Sequence, residues 1–285
     1  MKKKIILNSL AIFLGFASFA QSKESSTLWE IKGQGIKKSY VFGTVHMLPA
    51  NEFVLKDKVV KALKSSDKLV MELDLDDPML QMQYLKNAQM PEGVTINDFL
   101  TEAERTELSD YLERELSVNL DAVKNMKPFL LSSMIVPKLM EGEMASFERS
   151  LMAIATEGKK EILGLETVVE QMSVFDSIPY KKQVLDVLKM IRDTAESKSM
   201  FRDMIKDYQD QDIESLFETT SQYMESEEEM YFLLEKRNNL WVDRVKTLAG
   251  KNKCFFAVGA AHLAGEQGFL KLLEKAGYTV SAVTD

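Results

Sequence analysis

Two short stretches decide the fold: SYVFGTVHM, from Ser39 to Met47, and CFFAVGAAHL, from Cys254 to Leu263. Each is an apolar run followed by Gly, two small residues and His. The chain has only two histidines in 285 residues, His46 and His262, and each ends one of these Gly-x-x-His motifs. Apolar runs that end at a glycine are typical of buried β-strands. We therefore predict that the two motifs occupy equivalent places in two halves of one sheet.

The residues around the first motif predict two further strands and a helix. Residues 27–32 and 39–44 have the pattern of a hairpin, residues 56–64 that of a helix, and KLVMEL, from Lys68 to Leu73, that of a strand. Strand, helix and strand within about 35 residues indicate a βαβ unit whose two strands are parallel.

The residues around the second motif repeat this arrangement. Residues 253–258 predict a strand, Gly265 to Lys275 a helix that stops at Gly277, and residues 278–283 a strand. The predicted class is therefore α/β (α+β), a central mixed sheet built from N- and C-terminal βαβ-like halves.

A large helical insertion, at about residues 77–250, is predicted to split the sheet. Thr101 with Glu104, and Ser226 with Glu229, have the spacing of a capping box. The second of these is predicted to begin a helix that ends near Gly250. Pro179 is predicted to open a long helix that continues to about Lys206, and residues 161–166 predict a short strand between the helices.

Residues 1–20 have the features of a secretory signal peptide. Lys2 to Lys4 are basic, Ile5 to Phe16 are apolar, and small residues precede a cleavage position before Gln21. We predict a single exported domain, residues 21–285, located in the periplasm or secreted. No other segment is apolar over the length that an integral membrane span requires.

Composition excludes several classes of function. The net charge of −8 argues against nucleic acid or anionic lipid as a partner. The one cysteine, Cys254, cannot form an internal disulfide and is predicted to pack in the core. The sequence has neither a G-x-S-x-G motif for a serine hydrolase nor a glycine-rich phosphate loop.

Three polar side chains are predicted to meet at one edge of the sheet. Loops that follow parallel strands converge at the carboxyl ends of those strands, where ligands bind. His46 and His262 each follow a strand, and alternation in KLVMEL places Val70 and Glu72 on the face opposite Leu69. A carboxylate in a buried strand needs a partner or a metal ion.

Two imidazoles and a carboxylate suit a divalent transition metal that keeps positions open for water and substrate. Such an ion would lower the pKa of bound water and polarise a carbonyl. The glycines of the motifs, Gly43 and Gly259, permit a tight turn and a close approach of the backbone. The alternative is that both histidines are hydrogen-bonded structural residues at strand ends.

The predicted helix after Ser226 carries an arginine on its apolar stripe. Arg237 lies within that stripe, and Asn238 lies on its border. An arginine facing the core reaches a carboxylate or a ligand. Either it contacts substrate, or it forms a structural ion pair with Glu72 or Glu166, and the sequence leaves both alternatives open.

Five pieces of the chain together resemble one known family. They are WEIKGQGIKKSYVFGTVHMLP, SSDKLVMELD, EILGLETVVEQ, LLEKRNNLW and FFAVGAAHLAGEQGFLKLLEKAGYTV, and they span nearly all of residues 21–285. In this order they resemble the TraB/PrgY/GumN family, which is related to the Tiki metalloproteases. The resemblance implies a fold similar to the erythromycin-esterase and ChaN-like group.

The resemblance also implies a site. It is built from Gly43 and His46, from Glu72, and from Gly259 and His262. Arg237 and Asn238 match the arginine–asparagine element of the family, and Glu166 is a candidate supporting residue. Family members of the Tiki type are metal-dependent proteases, which implies manganese or cobalt, with zinc as a third candidate, and a peptide or protein substrate.

The predicted function is therefore an exported, metal-dependent hydrolase, and a peptidase in particular. His46, His262 and Glu72 would hold the metal ion or its water, although Glu72 could instead be a general base. Arg237 and Asn238 would orient the substrate or stabilise the oxyanion. The alternatives are a non-enzymatic binding protein that sequesters a peptide or a haem-like ligand, and a scaffold in which these residues only stabilise the fold.

Overall fold

A computed structural model describes residues 25–224 and 226–285. The predicted signal peptide, residues 1–20, lies outside the described residues. The described part contains a six-stranded mixed sheet with the spatial order β6-β4-β7-β2-β1-β8, and a two-stranded ribbon of β3 and β5. The strands are β1 (Leu28–Gly33), β2 (Ile36–Thr44), β3 (Leu48–Pro49), β4 (Lys68–Met71), β5 (Met144–Ala145), β6 (Glu161–Gly164), β7 (Cys254–Gly259) and β8 (Thr279–Ala282).

Helices connect these strands and fill the insertion. They are α1 (Asp57–Ser65), α2 (Leu80–Asn87), α3 (Glu102–Tyr111), α4 (Leu120–Val123), α5 (Phe129–Met140), α6 (Phe147–Glu157), α7 (Val168–Asp176), α8 (Tyr180–Arg192), α9 (Thr194–Gln209), α10 (Ile213–Tyr223), α11 (Glu227–Met230), α12 (Lys236–Ala249) and α13 (Phe269–Lys275). Short 3₁₀ turns cover Ile96–Phe99 and Ala260–His262, and π turns cover Leu112–Leu116 and Tyr231–Glu235.

The predicted α/β class is confirmed, and the sheet is more closely interleaved than two separate halves. β2 and β4 are parallel to β7, as the βαβ pattern predicts, but β7 lies between them. The strands that precede the two Gly-x-x-His motifs are therefore direct neighbours, with Gly43 opposite Val258 and Thr44 opposite Gly259. The antiparallel hairpin of β1 and β2 is confirmed, and β8 pairs with the outer side of β1.

Two apolar layers cover the faces of the sheet. Leu69, Met71 and Phe255 contribute to the core that packs against α1, α6 and α9. Val70 and Phe256 contribute to the opposite core, against α12 and α13. The alternation predicted for KLVMEL is confirmed as far as β4 extends. A third core, which includes residues of α3, α5 and α8, lies within the insertion.

Several element boundaries differ from those predicted. β4 ends at Met71, so Glu72 and Leu73 follow the strand rather than belong to it, and Leu73 packs in a separate core with Leu130 and Val168. α13 begins at Phe269, because residues 265–268 form a turn in which Gly265 has a φ of +86°. Cys254 is buried, as predicted, and burial raises the pKa of its thiol to about 11.

The helices of the insertion confirm some predicted signals and correct others. The Thr101 and Glu104 capping box is present. The helix predicted from Pro179 to Lys206 is two helices, α8 and α9, because Asp193 between them leaves the helical conformation (φ −105°, ψ 54°). The Ser226 hydroxyl caps the backbone N–H of Glu229, but the Glu229 side chain pairs with Lys182 instead of completing a capping box.

No helix within the described residues is long and apolar enough to cross a membrane. The single-domain assignment of residues 21–285 stays a prediction.

Candidate functional site

The residues predicted for the site converge beside Gly259, at the carboxyl ends of β2, β4 and β7. A methyl group placed on Gly259 would lie 3.4 Å from Oε1 of Glu72, 3.5 Å from Cδ2 of His262 and 3.9 Å from Nε2 of His46. Three residues that are far apart in the sequence, His46, Glu72 and His262, therefore surround one point. The edge of the sheet brings them together, as expected from parallel strands.

Glu72 is a buried carboxylate whose two oxygens are both bonded. Its Oε1 accepts the backbone N–H of Gly259 at 2.8 Å, and its Oε2 accepts Nη2 of Arg237 at 2.5 Å. Burial alone would raise the pKa of Glu72, but the Arg237 guanidinium and the neighbouring histidines outweigh it. The pKa is held well below its usual range, so this carboxylate is charged and weakly basic.

Arg237 is a hub whose five N–H groups all have acceptors. Its Nε donates to Glu166 at 3.1 Å, and its Nη2 donates to Glu72 and to Glu166. Its Nη1 donates to the carbonyl of Leu233 at 3.1 Å and to Nε2 of His262 at 3.0 Å. A guanidinium has five donors and no acceptor. In this arrangement Arg237 has no donor left for a substrate.

His262 is held rigidly between two polar neighbours. Its Nδ1–H donates to Oδ1 of Asn238 at 2.7 Å, and its Nε2 accepts from Arg237, since a guanidinium can only donate. The imidazole is 3% exposed and lies 4.5 Å from the ring of Trp241, measured between centroids. Burial, reinforced by the Arg237 charge, lowers the pKa of His262 to about 3. This histidine is therefore neutral, with one fixed tautomer.

Asn238 fixes the tautomer of His262 and is itself fully bonded. Its Nδ2 donates to the carbonyls of His262 (3.2 Å) and Gln267 (2.9 Å). It is 1% exposed, so it lies in the core and not on the border of the stripe. Asn238 lies four residues after Leu234 and three before Trp241, both buried, and this spacing places it on the same helix face.

His46 has a contrasting environment, set by a residue that the sequence did not indicate. Its Nδ1–H donates to Oε1 of Glu148 at 2.9 Å, and its side chain is 67% exposed. The Glu148 carboxylate also accepts the hydroxyls of Thr44 and Ser146, each at 2.8 Å. The hydrogen bond with Glu148 raises the pKa of His46 to about 9. Nε2 of His46 remains directed at the site.

Glu166 and Gln171 support the centre of the site. Nε2 of Gln171 donates to Glu166 at 2.9 Å and approaches Glu72 at 3.4 Å. Glu166 is 7% exposed, and burial raises its pKa although Arg237 is adjacent. The sequence predicted a supporting role for Glu166. It contained Gln171 in one of the family-like segments but gave no indication of its role.

The backbone fixes the spacing of the two carboxylates. The N–H of Glu166 donates to the carbonyl of Glu72 at 2.9 Å, directly after the paired strands β4 and β6. A side chain at Gly164 would lie 2.7 Å from the backbone N of Asp74. Glycine there allows the two chains to approach this closely.

The predicted metal ion does not fit this arrangement. Both oxygens of Glu72 accept hydrogen bonds from the protein, and both ring nitrogens of His262 are bonded, to Asn238 and Arg237. Nε2 of His46 is the remaining donor atom of the predicted ligand set. Within residues 25–224 and 226–285, no group of three or more His, Cys, Asp or Glu side chains is arranged to hold a metal ion.

The family model that describes the TraB/PrgY/gumN family matches residues 27–282. This chain belongs to that family. The match covers both Gly-x-x-His motifs and the whole insertion, so the membership predicted from the sequence is confirmed. No solved structure matches the chain significantly, and the predicted likeness to the erythromycin-esterase and ChaN-like group stays a prediction.

Two relatives are described as Metalloprotease TIKI2. The alignment with the one from Danio rerio is 332 positions long and 24% identical. It covers 92% of this chain and 61% of that relative. The alignment with the one from Xenopus tropicalis is 347 positions long and also 24% identical. It covers 98% of this chain and 64% of that relative. The chain therefore spans less than two thirds of the length of these relatives.

Proposed function

We propose that the protein is a hydrolase that cleaves peptide bonds at the site beside Gly259. The observation that carries this proposal is the convergence of His46, Glu72 and His262 within 4 Å of one point. Distant similarity to two proteins described as metalloproteases supports the substrate class.

The acid–base group of this reaction is His46. It is the one imidazole of the site that is open to solvent, and Glu148 holds its Nδ1–H, so Nε2 is the atom that faces a substrate. Neutral Nε2 can take a proton from a water that attacks a carbonyl, and protonated Nε2 can give one to the departing amine. A carboxylate that orients the ring raises the efficiency of both steps.

Glu72, Arg237 and His262 form a fixed polar wall beside that histidine. Their mutual hydrogen bonds make them positioning residues in the arrangement described. Direct contact of Arg237 or Asn238 with substrate stays a prediction, and it requires the release of at least one of their present hydrogen bonds.

The metal ion and the location also stay predictions. Manganese, cobalt or zinc bound by His46, Glu72 and His262 would require these side chains to exchange their present partners. Export to the periplasm or the medium is predicted by residues 1–20, which lie outside the described residues.

The test is cleavage of a mixture of synthetic peptides, followed by mass spectrometry, with and without added manganese or cobalt. We expect the wild-type protein to release defined products and His46→Ala to lose at least 100-fold of the rate, the typical share of a general acid–base group. Lys271→Ala, an exposed change on α13, is the matched control and should cleave normally.

Equal cleavage by wild type and His46→Ala would contradict the proposal. Saturable binding of peptide or haem without any product would favour the sequestering protein instead.

A further inference from the structure

We infer that the Arg237 guanidinium and a divalent metal ion exclude one another at this site, so that arginine keeps the site free of metal. The inference goes beyond the proposed function, because it concerns ion binding and not turnover.

Hydrogen bonds from Arg237 already occupy atoms that a metal ion would need. A metal ion needs lone pairs, and Arg237 takes one lone pair from Glu72 and the Nε2 lone pair from His262. The second nitrogen of His262 cannot replace Nε2, since it carries the proton that Asn238 accepts. An ion would therefore compete with the guanidinium for the same two side chains.

The positive charge of Arg237 also opposes a second cation. Arg237 already lies within ion-pair distance of both buried carboxylates, at 2.5 Å from Glu72 and 2.6 Å from Glu166. A divalent ion inserted next to it would meet a fixed positive charge in a poorly hydrated place, where repulsion is little screened. Bound side by side on Glu72, the two cations would repel one another strongly.

Several further contacts hold Arg237 firmly in place. Besides its two carboxylates, the guanidinium is anchored on the Leu233 carbonyl and its Cζ lies 4.8 Å from the centre of the Trp241 ring. To leave, it would give up all of these contacts together, including a cation–π contact. Removal of the guanidinium frees His262 Nε2 and Glu72 beside His46 Nε2, a set of nitrogen and oxygen atoms suited to cobalt, manganese or zinc.

The experiment is a titration of the full chain with cobalt(II), followed by its visible absorption and by calorimetry. We expect Arg237→Gln to bind one cobalt ion at least tenfold more tightly than wild type. Arg237→Gln combined with His262→Gln should lose that gain, because it lacks a ligand.

A second variant covers the case in which Arg237→Gln fails to fold. Arg237→Gln with Glu166→Gln removes one positive and one negative charge, so the net buried charge is unchanged, and it should show the same gain in affinity. The inference is overturned if wild type binds cobalt as tightly as the variants that lack Arg237, or if the gain persists without His262. None of these results depends on peptide cleavage, so failure here and failure of the proposed function are distinguishable.

Discussion

The two Gly-x-x-His motifs have the same local sequence pattern and opposite environments. His46 is largely exposed, and its one partner is a carboxylate from helix α6. His262 is 3% exposed and is held between an amide and a guanidinium from helix α12. The strands before them are neighbours in the sheet. The strand and the motif therefore determine the position of each histidine in the sheet. Helices that are distant in sequence determine its exposure and its hydrogen-bond partners.

The two histidines differ in protonation as well as in exposure. The partner of His46 raises its pKa, whereas burial and the partner of His262 lower its pKa. The site therefore combines one exposed imidazole with a buried group of hydrogen-bonded side chains.

The largest expected effect that would test this contrast is on stability. His262→Ala should lower the free energy of unfolding by about 3 kcal/mol, because it leaves the Asn238 Oδ1 acceptor and an Arg237 Nη1 donor unsatisfied and opens a cavity. His46→Ala should lower it by only about 1 kcal/mol or less, because its ion pair with Glu148 is largely screened by solvent. Urea unfolding of both variants measures this, and equal losses would remove the distinction.

The glycines of the two motifs should also differ. A Cβ on Gly43 would lie 2.7 Å from Leu263 Cδ1 and 3.0 Å from Cβ of Ala260, so Gly43→Ala should cost about 1–3 kcal/mol through overpacking. The nearest contact of a Cβ on Gly259 is 3.4 Å, an ordinary distance. Gly259→Ala should therefore retain nearly all stability while it reduces activity, which unfolding and cleavage assays together would show. A greater loss of stability in Gly259→Ala would contradict the packing described.

Acid should destabilise the protein through His262. Its pKa is about 3 when folded and near 6.5 when unfolded, so below pH 6.5 the unfolded state binds the extra proton. The contribution of neutral His262 to the free energy of unfolding is fully present above pH 6.5. It falls by up to about 1.4 kcal/mol per pH unit as the pH drops towards 3. Unfolding at pH 5, 6 and 7 measures the slope, and His262→Gln should flatten it.

His46 should show the opposite sign. Its folded pKa is raised, so its contribution is present below pH 6.5 and disappears as the pH rises through about 9. A variant His262→Gln that kept the full acid slope would show that another group is responsible for it.

The smallest perturbation is a direct titration of the two imidazoles by NMR. With only two histidines, each signal can be assigned from one variant. We expect His46 to titrate near pH 9 and His262 to remain neutral down to about pH 4. Glu148→Gln should move the pKa of His46 back towards 6.5, because the charged hydrogen-bond partner is lost. An unchanged pKa in that variant would show that Glu148 does not control the ring.

Much of the fold could be predicted from the sequence. Apolar runs ending at Gly43 and near Gly259 identified the central strands, and short-range signals such as Thr101 with Glu104 identified helix starts. These features depend on residues a few positions apart. The break at Asp193 was missed, because a helical pattern continues across it.

The convergence of His46, Glu72 and His262 could be predicted from the sequence, but their hydrogen bonds could not. Glu148 lies 102 residues from His46 in the sequence. Its local sequence indicates only an acidic residue in the first turn of a helix, which is a common position for glutamate. The full use of the Arg237 donors is likewise set by Glu166 and Leu233, through the packing of separate elements. No local pattern records such contacts.

The place of β7 in the sheet has a consequence for how the chain folds. This strand is next to last along the sequence, yet it pairs on both sides, with β4 and β2. Until residues 254–259 are available, β4 and the β1–β2 hairpin have no strand to join them. Pairing across some two hundred residues makes folding slow and dependent on nearly the whole chain. The sheet, and with it the site, can therefore form only after almost the entire chain has been synthesised.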